Sequence, residues 1–79
     1  MKRSTVNAWQ KRLGRHIQGL ITKKGYDSPY DFWLQKVGDE MSRTTLNYVL
    51  TGRYDPKAST LKKLADGLGV TLSELVDYN

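Results

Sequence analysis

Between Glu40 and Asp55 the chain carries no acidic residue, and within that gap stand Arg43, Thr44, Asn47, Tyr48 and Thr51. On a helix of about 3.6 residues per turn, Leu46, Val49 and Leu50 share one face. Thr44, Asn47, Tyr48 and Thr51 fall on the opposite face, with Arg43 at the N-terminal end. An ordinary solvated face favours Lys and Glu; this one holds short polar groups and a phenol. Such groups match the edges of base pairs. Arginine can give two hydrogen bonds to guanine, asparagine can pair with adenine, and threonine can meet a polar edge or a thymine methyl. A carboxylate here would be repelled by phosphate. The alternative is a surface helix that merely lacks charge, and the pattern alone leaves both readings open.

Little else in the chain could do chemistry. With no cysteine and one histidine, a disulfide, a thiolate nucleophile, a cysteine-based zinc site and a multi-histidine metal site are all excluded. His16 lies beside an apolar stripe and reads as a half-buried or surface side chain rather than a catalyst. Asp27 with Asp31, and Asp39 with Glu40, are carboxylate pairs, but they coincide with helix starts and turns. No nucleophile, base and orienting group occur as a set, so neither enzymatic activity nor a cofactor or metal is expected. Trp9, Phe32 and Trp33 are expected in the core. Tyr26, Tyr30, Tyr54 and Tyr78 have no obvious place, and an exposed cluster of them would mark a dimer or partner surface.

The charge distribution points the same way as the acid-free gap. The net charge is +5, which suits a polyanionic partner. Residues 1–26 hold Lys2, Arg3, Lys11, Arg12, Arg15, Lys23 and Lys24 with no acid, so the remaining residues are net acidic. A solubilising cationic face is the plain alternative. At 79 residues there is room for one domain, and the 38% of apolar residues suffice for a small helical core. No apolar run approaches the ~20 residues of a membrane span. The basic start, Met1 to Thr5, is followed by no apolar signal segment, so a cytoplasmic location is expected.

The elements that must position these residues are helices, because spacings of three and four recur and strand-like alternation does not. A first helix is predicted from about Thr5 to Lys23, with Val6, Trp9, Leu13, Ile17, Leu20 and Ile21 on one stripe. Gly14 and Gly19 would weaken it by about 1 kcal/mol each. A second opens at Ser28-Pro29-Tyr30-Asp31, with Phe32 or Trp33 and Val37 inward and Gly38 as its end. Asp39-Glu40-Met41 turns the chain, Ser42 caps a third helix that reaches Thr51, and Gly52 stops it. A fourth covers about Ala58 to Leu68, with Leu61, Leu64, Ala65 and Leu68 inward. Thr71-Leu72-Ser73-Glu74 is a capping box that opens a short fifth helix, with Leu72, Leu75 and Val76 available to pack.

Residues about 13–77 of this all-α pattern resemble the lambda-repressor-like helix-turn-helix family, of the Cro/C1 or XRE type. Ser42-Arg43-Thr44-Thr45-Leu46 leading to Gly52 carries the likeness. Pro56-Lys57-Ala58-Ser59-Thr60-Leu61-Lys62-Lys63-Leu64-Ala65-Asp66-Gly67-Leu68-Gly69-Val70 also runs without a gap through the family's Pro-x-x-x-Thr-Leu-x-x-Leu-Ala-x-x-Leu-Gly-Val pattern. The resemblance implies a five-helix domain over residues 6–79 behind a basic arm at residues 1–5, and a recognition helix over residues 42–51. It implies base contacts from Arg43, Thr44 and Tyr48, with Asn47 beside them. Phosphate contacts would come from Ser42, Thr45, Thr51, Arg53 and Lys57, and from Lys2 and Arg3 in the arm. Tyr48 could instead pack on a neighbour, and Arg43 could meet phosphate or pair with Asp39 or Glu40. Lys11, Arg12 and Arg15 could touch the DNA backbone or simply face solvent.

One stretch departs from the family. Residues 28–42 are two or three longer than usual, Pro29 or Tyr30 stands where a glutamine is expected, and Trp33 or Leu34 where an alanine is expected. This bears on the second helix's contacts to DNA and on the docking angle. The function implied is a bacterial or phage transcriptional repressor that binds a palindromic operator in double-stranded DNA as a homodimer. The competing reading is an antitoxin-like or anti-regulator module that uses the same fold to hold a protein partner.

Overall fold

A computed structural model describes residues 2–53 and 55–77, with side chains from Ala8 onward. Every element in that range is helical. The first helix, α1 (Lys2–Lys23), starts three residues before the expected Thr5, so the stretch expected as an arm continues the helix. Lys2, Arg3, Ser4 and Thr5 include no glycine or proline to break it. Leu13, Ile17 and Ile21, spaced by four, form its buried stripe, and Leu20 packs at the edge. Trp9 corrects an expectation: it is 39% exposed rather than core. The α3 helix (Arg43–Thr51) meets α1 between Lys11 and Gln18, and Trp9 precedes that stretch.

The second helix opens as expected. In α2 (Pro29–Phe32), Ser28 is the N-cap, its Oγ accepting from the Asp31 amide at 3.1 Å, and Pro29 follows in the first turn. Beyond Phe32 the chain widens into a π-helical segment (Trp33–Val37). Residues five apart on an α-helix point about 140° away from each other, and the wider π-turn brings them toward one side. Phe32 and Val37 both reach the core that way, while Trp33 is only half-buried. The longer stretch over residues 28–42 thus includes a change of helix type, which periodicity could not disclose.

Three short helices complete the domain: α3, α4 (Ala58–Leu68) and α5 (Leu72–Val76). Leu46, Val49, Leu50, Leu64, Ala65, Leu68 and Leu75 close the core as their spacing predicts. Leu72 and Val76, also available to pack, stay outside the core on α5, at 39% and 38% exposure. Gly67 lets α4 approach the second helix, since a Cβ there would lie 2.9 Å from Val37 Cγ1. His16 Nε2 donates to the Glu74 carbonyl at 3.0 Å, which ties α5 to α1.

The capping box at the start of α5 gives a pH prediction. The Thr71 backbone amide donates to Glu74 Oε1 at 2.9 Å, and the Thr71 hydroxyl donates to it at 3.2 Å. These bonds, the backbone one foremost, hold the Glu74 carboxyl below its usual value of 4.5. The folded state therefore favours the ionised form. Its contribution to stability is present above that value and fades as pH falls through the lowered one. Thermal melts should show Glu74→Gln destabilised relative to the parent near neutral pH, with the gap narrowing as the medium is made strongly acidic. An equal gap at both would mean that the charge plays no part.

Candidate nucleic-acid interface

Both ends of α3 are set by local hydrogen bonds. Ser42 is extended, its Oγ accepts from the Thr45 amide at 3.0 Å, and its hydroxyl donates to Thr45 Oγ1 at 2.9 Å. At the other end Gly52 adopts φ +73°, a left-handed conformation that a side chain resists. The Gly52 and Arg53 amides then close on the carbonyls of Val49 and Tyr48, at 3.2 and 2.9 Å.

The direction of α3 is set by α1. Gly14 lies against the backbone of Leu50 and Val49, and Gly52 against the backbone of Lys11. One turn beyond Gly14, Gln18 Nε2 donates to the Leu50 carbonyl at 3.2 Å, satisfying one of the acceptors that a helix end leaves without an intrahelical partner. With Leu46, Val49 and Leu50 held inward, the outer face is fixed.

That outer face brings together the four residues expected to read bases. Arg43, Thr44, Asn47 and Tyr48 are all exposed and line one shallow concavity of about 230 Å³. Arg43 makes no ion pair with Asp39 or Glu40; its guanidinium lies over the Tyr30 ring, 5.0 Å from the centroid. Tyr48 is 42% exposed, with the Arg53 guanidinium 6.0 Å from its ring centroid.

The residues expected at phosphates are more dispersed. Ser42, Arg53 and Lys57 are exposed, and Lys57 stands at the N-cap of α4 without a side-chain capping bond. Thr45 is half-buried, its amide and hydroxyl both engaged with Ser42. The Thr51 hydroxyl donates back to the Asn47 carbonyl at 2.8 Å, one turn earlier. Lys11, Arg12 and Arg15 are exposed on α1. The side chains of Lys2 and Arg3, and the whole of Tyr54 and Tyr78, lie outside the described residues.

Two residues join the site that sequence reasoning missed. Tyr30 and Gln18 face α3 across an open cleft of about 270 Å³ that Arg43, Asn47 and Thr51 also line. The signal for Tyr30 was present only as an anomaly, an aromatic near the position where the resemblance expects a glutamine. Gln18 had none, because its partner is a backbone carbonyl 32 residues away.

Among the described residues no group of histidine, cysteine or acidic side chains could hold a metal ion. No helix among them is long and apolar enough to cross a membrane. A family model described as helix-turn-helix matches residues 34–75, a span that holds α3, α4 and all but the last residue of α5. No curated protein and no solved structure gives a match.

Proposed function

The chain belongs to the Cro/C1-type helix-turn-helix family, whose members bind DNA, and from that premise we propose a transcriptional repressor that reads a palindromic operator through α3. The observation that carries the reading is the shared concavity of Arg43, Thr44, Asn47 and Tyr48 on a helix capped at both ends. These four contact bases. Ser42, Thr45, Thr51, Arg53, Lys57, Lys2 and Arg3 contact phosphates and fix the register without reading sequence.

At nine residues, α3 is about 13 Å long and covers only one half-site. Two half-sites lie roughly 34 Å apart, so the repressor binds as a dimer. The dimer forms through α5, where Leu72 and Val76 stay exposed, or assembles on the DNA. The regulator works in the cytoplasm, where its operator is.

The test is selection from a randomised duplex library over a range of salt, with sequencing of the bound fraction. The expected result is an enriched inverted repeat that survives as salt rises. Binding that is unenriched and lost at moderate salt would reduce the interaction to phosphate attraction and turn attention to a protein partner. Sedimentation of the complex at saturation should show two chains per operator, and a single bound chain would overturn the dimer.

A further inference from the structure

The lengthened second helix builds an aromatic column that ends on the recognition helix. Trp33 Nε1 donates to the Met41 carbonyl at 2.8 Å, in the turn just before the cap of α3. Tyr30 stacks on Trp33, with ring centroids 5.8 Å apart and planes 25° from parallel. Arg43 lies over Tyr30 at 5.0 Å. The column therefore closes a circuit from the second helix, through the turn, to the first residue of α3 and back.

Helix stability does not explain a cation at that place. A positive charge in the first turn faces the positive end of the helix dipole, and α3 has no acid in its first turn to offset it. The ring face of Tyr30 supplies the compensating attraction. It also restricts a long side chain that would otherwise lose rotamer freedom on binding. Tyr30 itself is 48% exposed, and its backbone follows the capped start of α2, so the column holds its outer member while leaving it accessible.

We propose that Tyr30, braced on Trp33, is a positioning residue for base recognition: it presents the Arg43 guanidinium to one base pair and thereby sharpens the preference there. This rests on the reading that α3 reads DNA. The second helix then contributes to specificity without touching a base.

The experiment uses the full chain and the duplex selected by the parent, in competition with duplexes altered one base pair at a time. Arg43→Ala should abolish the preference at one pair. Tyr30→Ala and Tyr30→Leu, which remove the ring face, should weaken preference at that same pair by about two- to fivefold and leave the salt dependence unchanged. Tyr30→Phe, which keeps the ring, should match the parent. Circular dichroism melts confirm that each variant is folded, and Tyr30→Leu retains apolar bulk should the alanine variant melt early.

Preference intact in Tyr30→Leu but lost in Arg43→Ala would overturn the positioning role and leave the DNA reading standing. Tighter binding in Tyr30→Leu would also overturn it, showing that the ring holds Arg43 away from the bases. A loss in Tyr30→Phe that is uniform across the duplexes, with the salt dependence unchanged, would assign the hydroxyl to a phosphate instead and overturn the positioning role. If Arg43→Ala changes no preference, the assignment of Arg43 as a base reader fails, and the inference with it.

Discussion

Gly14→Ala will destabilise the domain by about 1–3 kcal/mol, although alanine is the better helix former. A Cβ at position 14 would sit 2.7 Å from the Leu50 carbonyl carbon and 2.8 Å from the Val49 carbonyl oxygen, and still closer to the Leu50 oxygen. All three are backbone atoms, so no rotamer change relieves the clash and the two helices must separate. Gly19 lies in the same helix, and a Cβ there meets nothing within 4 Å. Gly19→Ala should therefore gain about 0.5–1 kcal/mol from helix propensity alone. Against a total stability on the order of 4–12 kcal/mol for this length, the two melting temperatures should move in opposite directions, by about 4–8 °C per kcal/mol. A stable Gly14→Ala protein would refute the close approach of α1 to α3. Because that approach sets the direction of α3, the helix proposed to read DNA, the Gly14 variant should also lose DNA binding at temperatures where it remains folded.

On the DNA side, Arg43→Ala is expected to cost about 1–3 kcal/mol at the selected operator and to relax selectivity at one base pair. Lys57→Ala should behave differently. It should weaken every duplex alike and reduce the slope of log affinity against log salt by about one. The contrast follows from position: Arg43 lines the concavity with Thr44, Asn47 and Tyr48, whereas Lys57 stands at the start of α4 outside it. Affinities measured across a salt series on matched and mismatched duplexes separate the two patterns. If Arg43→Ala weakened all duplexes equally and lowered the salt slope, the guanidinium would be a phosphate contact and base reading would rest on its neighbours.

Most of the helical plan was legible because its signals are local. Ser28, Ser42 and Thr71 cap helices by hydrogen bonds that reach three residues along the chain, and Gly52 and Gly69 end α3 and α4 with bonds, from their own amides and the next residue's, that reach back three and five. Apolar spacing on α3 and α4 needed only the helical period to reveal which side is buried. The same period placed Arg43, Thr44, Asn47 and Tyr48 at the outer side, and the chain's own acid-free gap marked that side as unusual. Trp9 was misjudged because periodicity says which stripe a residue lies on and not where the neighbouring helix stops.

The sequence by itself determined where α2, α3 and α5 begin, where α3 and α4 end, and which face of α3 is polar, since caps, turns and amphipathic stripes depend on residues a few positions apart. Tertiary structure alone decided that Gly14 is a contact surface rather than a weak point, that the second helix widens at Trp33, and that Tyr30 lies under Arg43. Each of these depends on how two elements meet. The partners are 13 residues apart for the ring and guanidinium and some 36 for Gly14 and Leu50, and at such separations only the packed core brings them together.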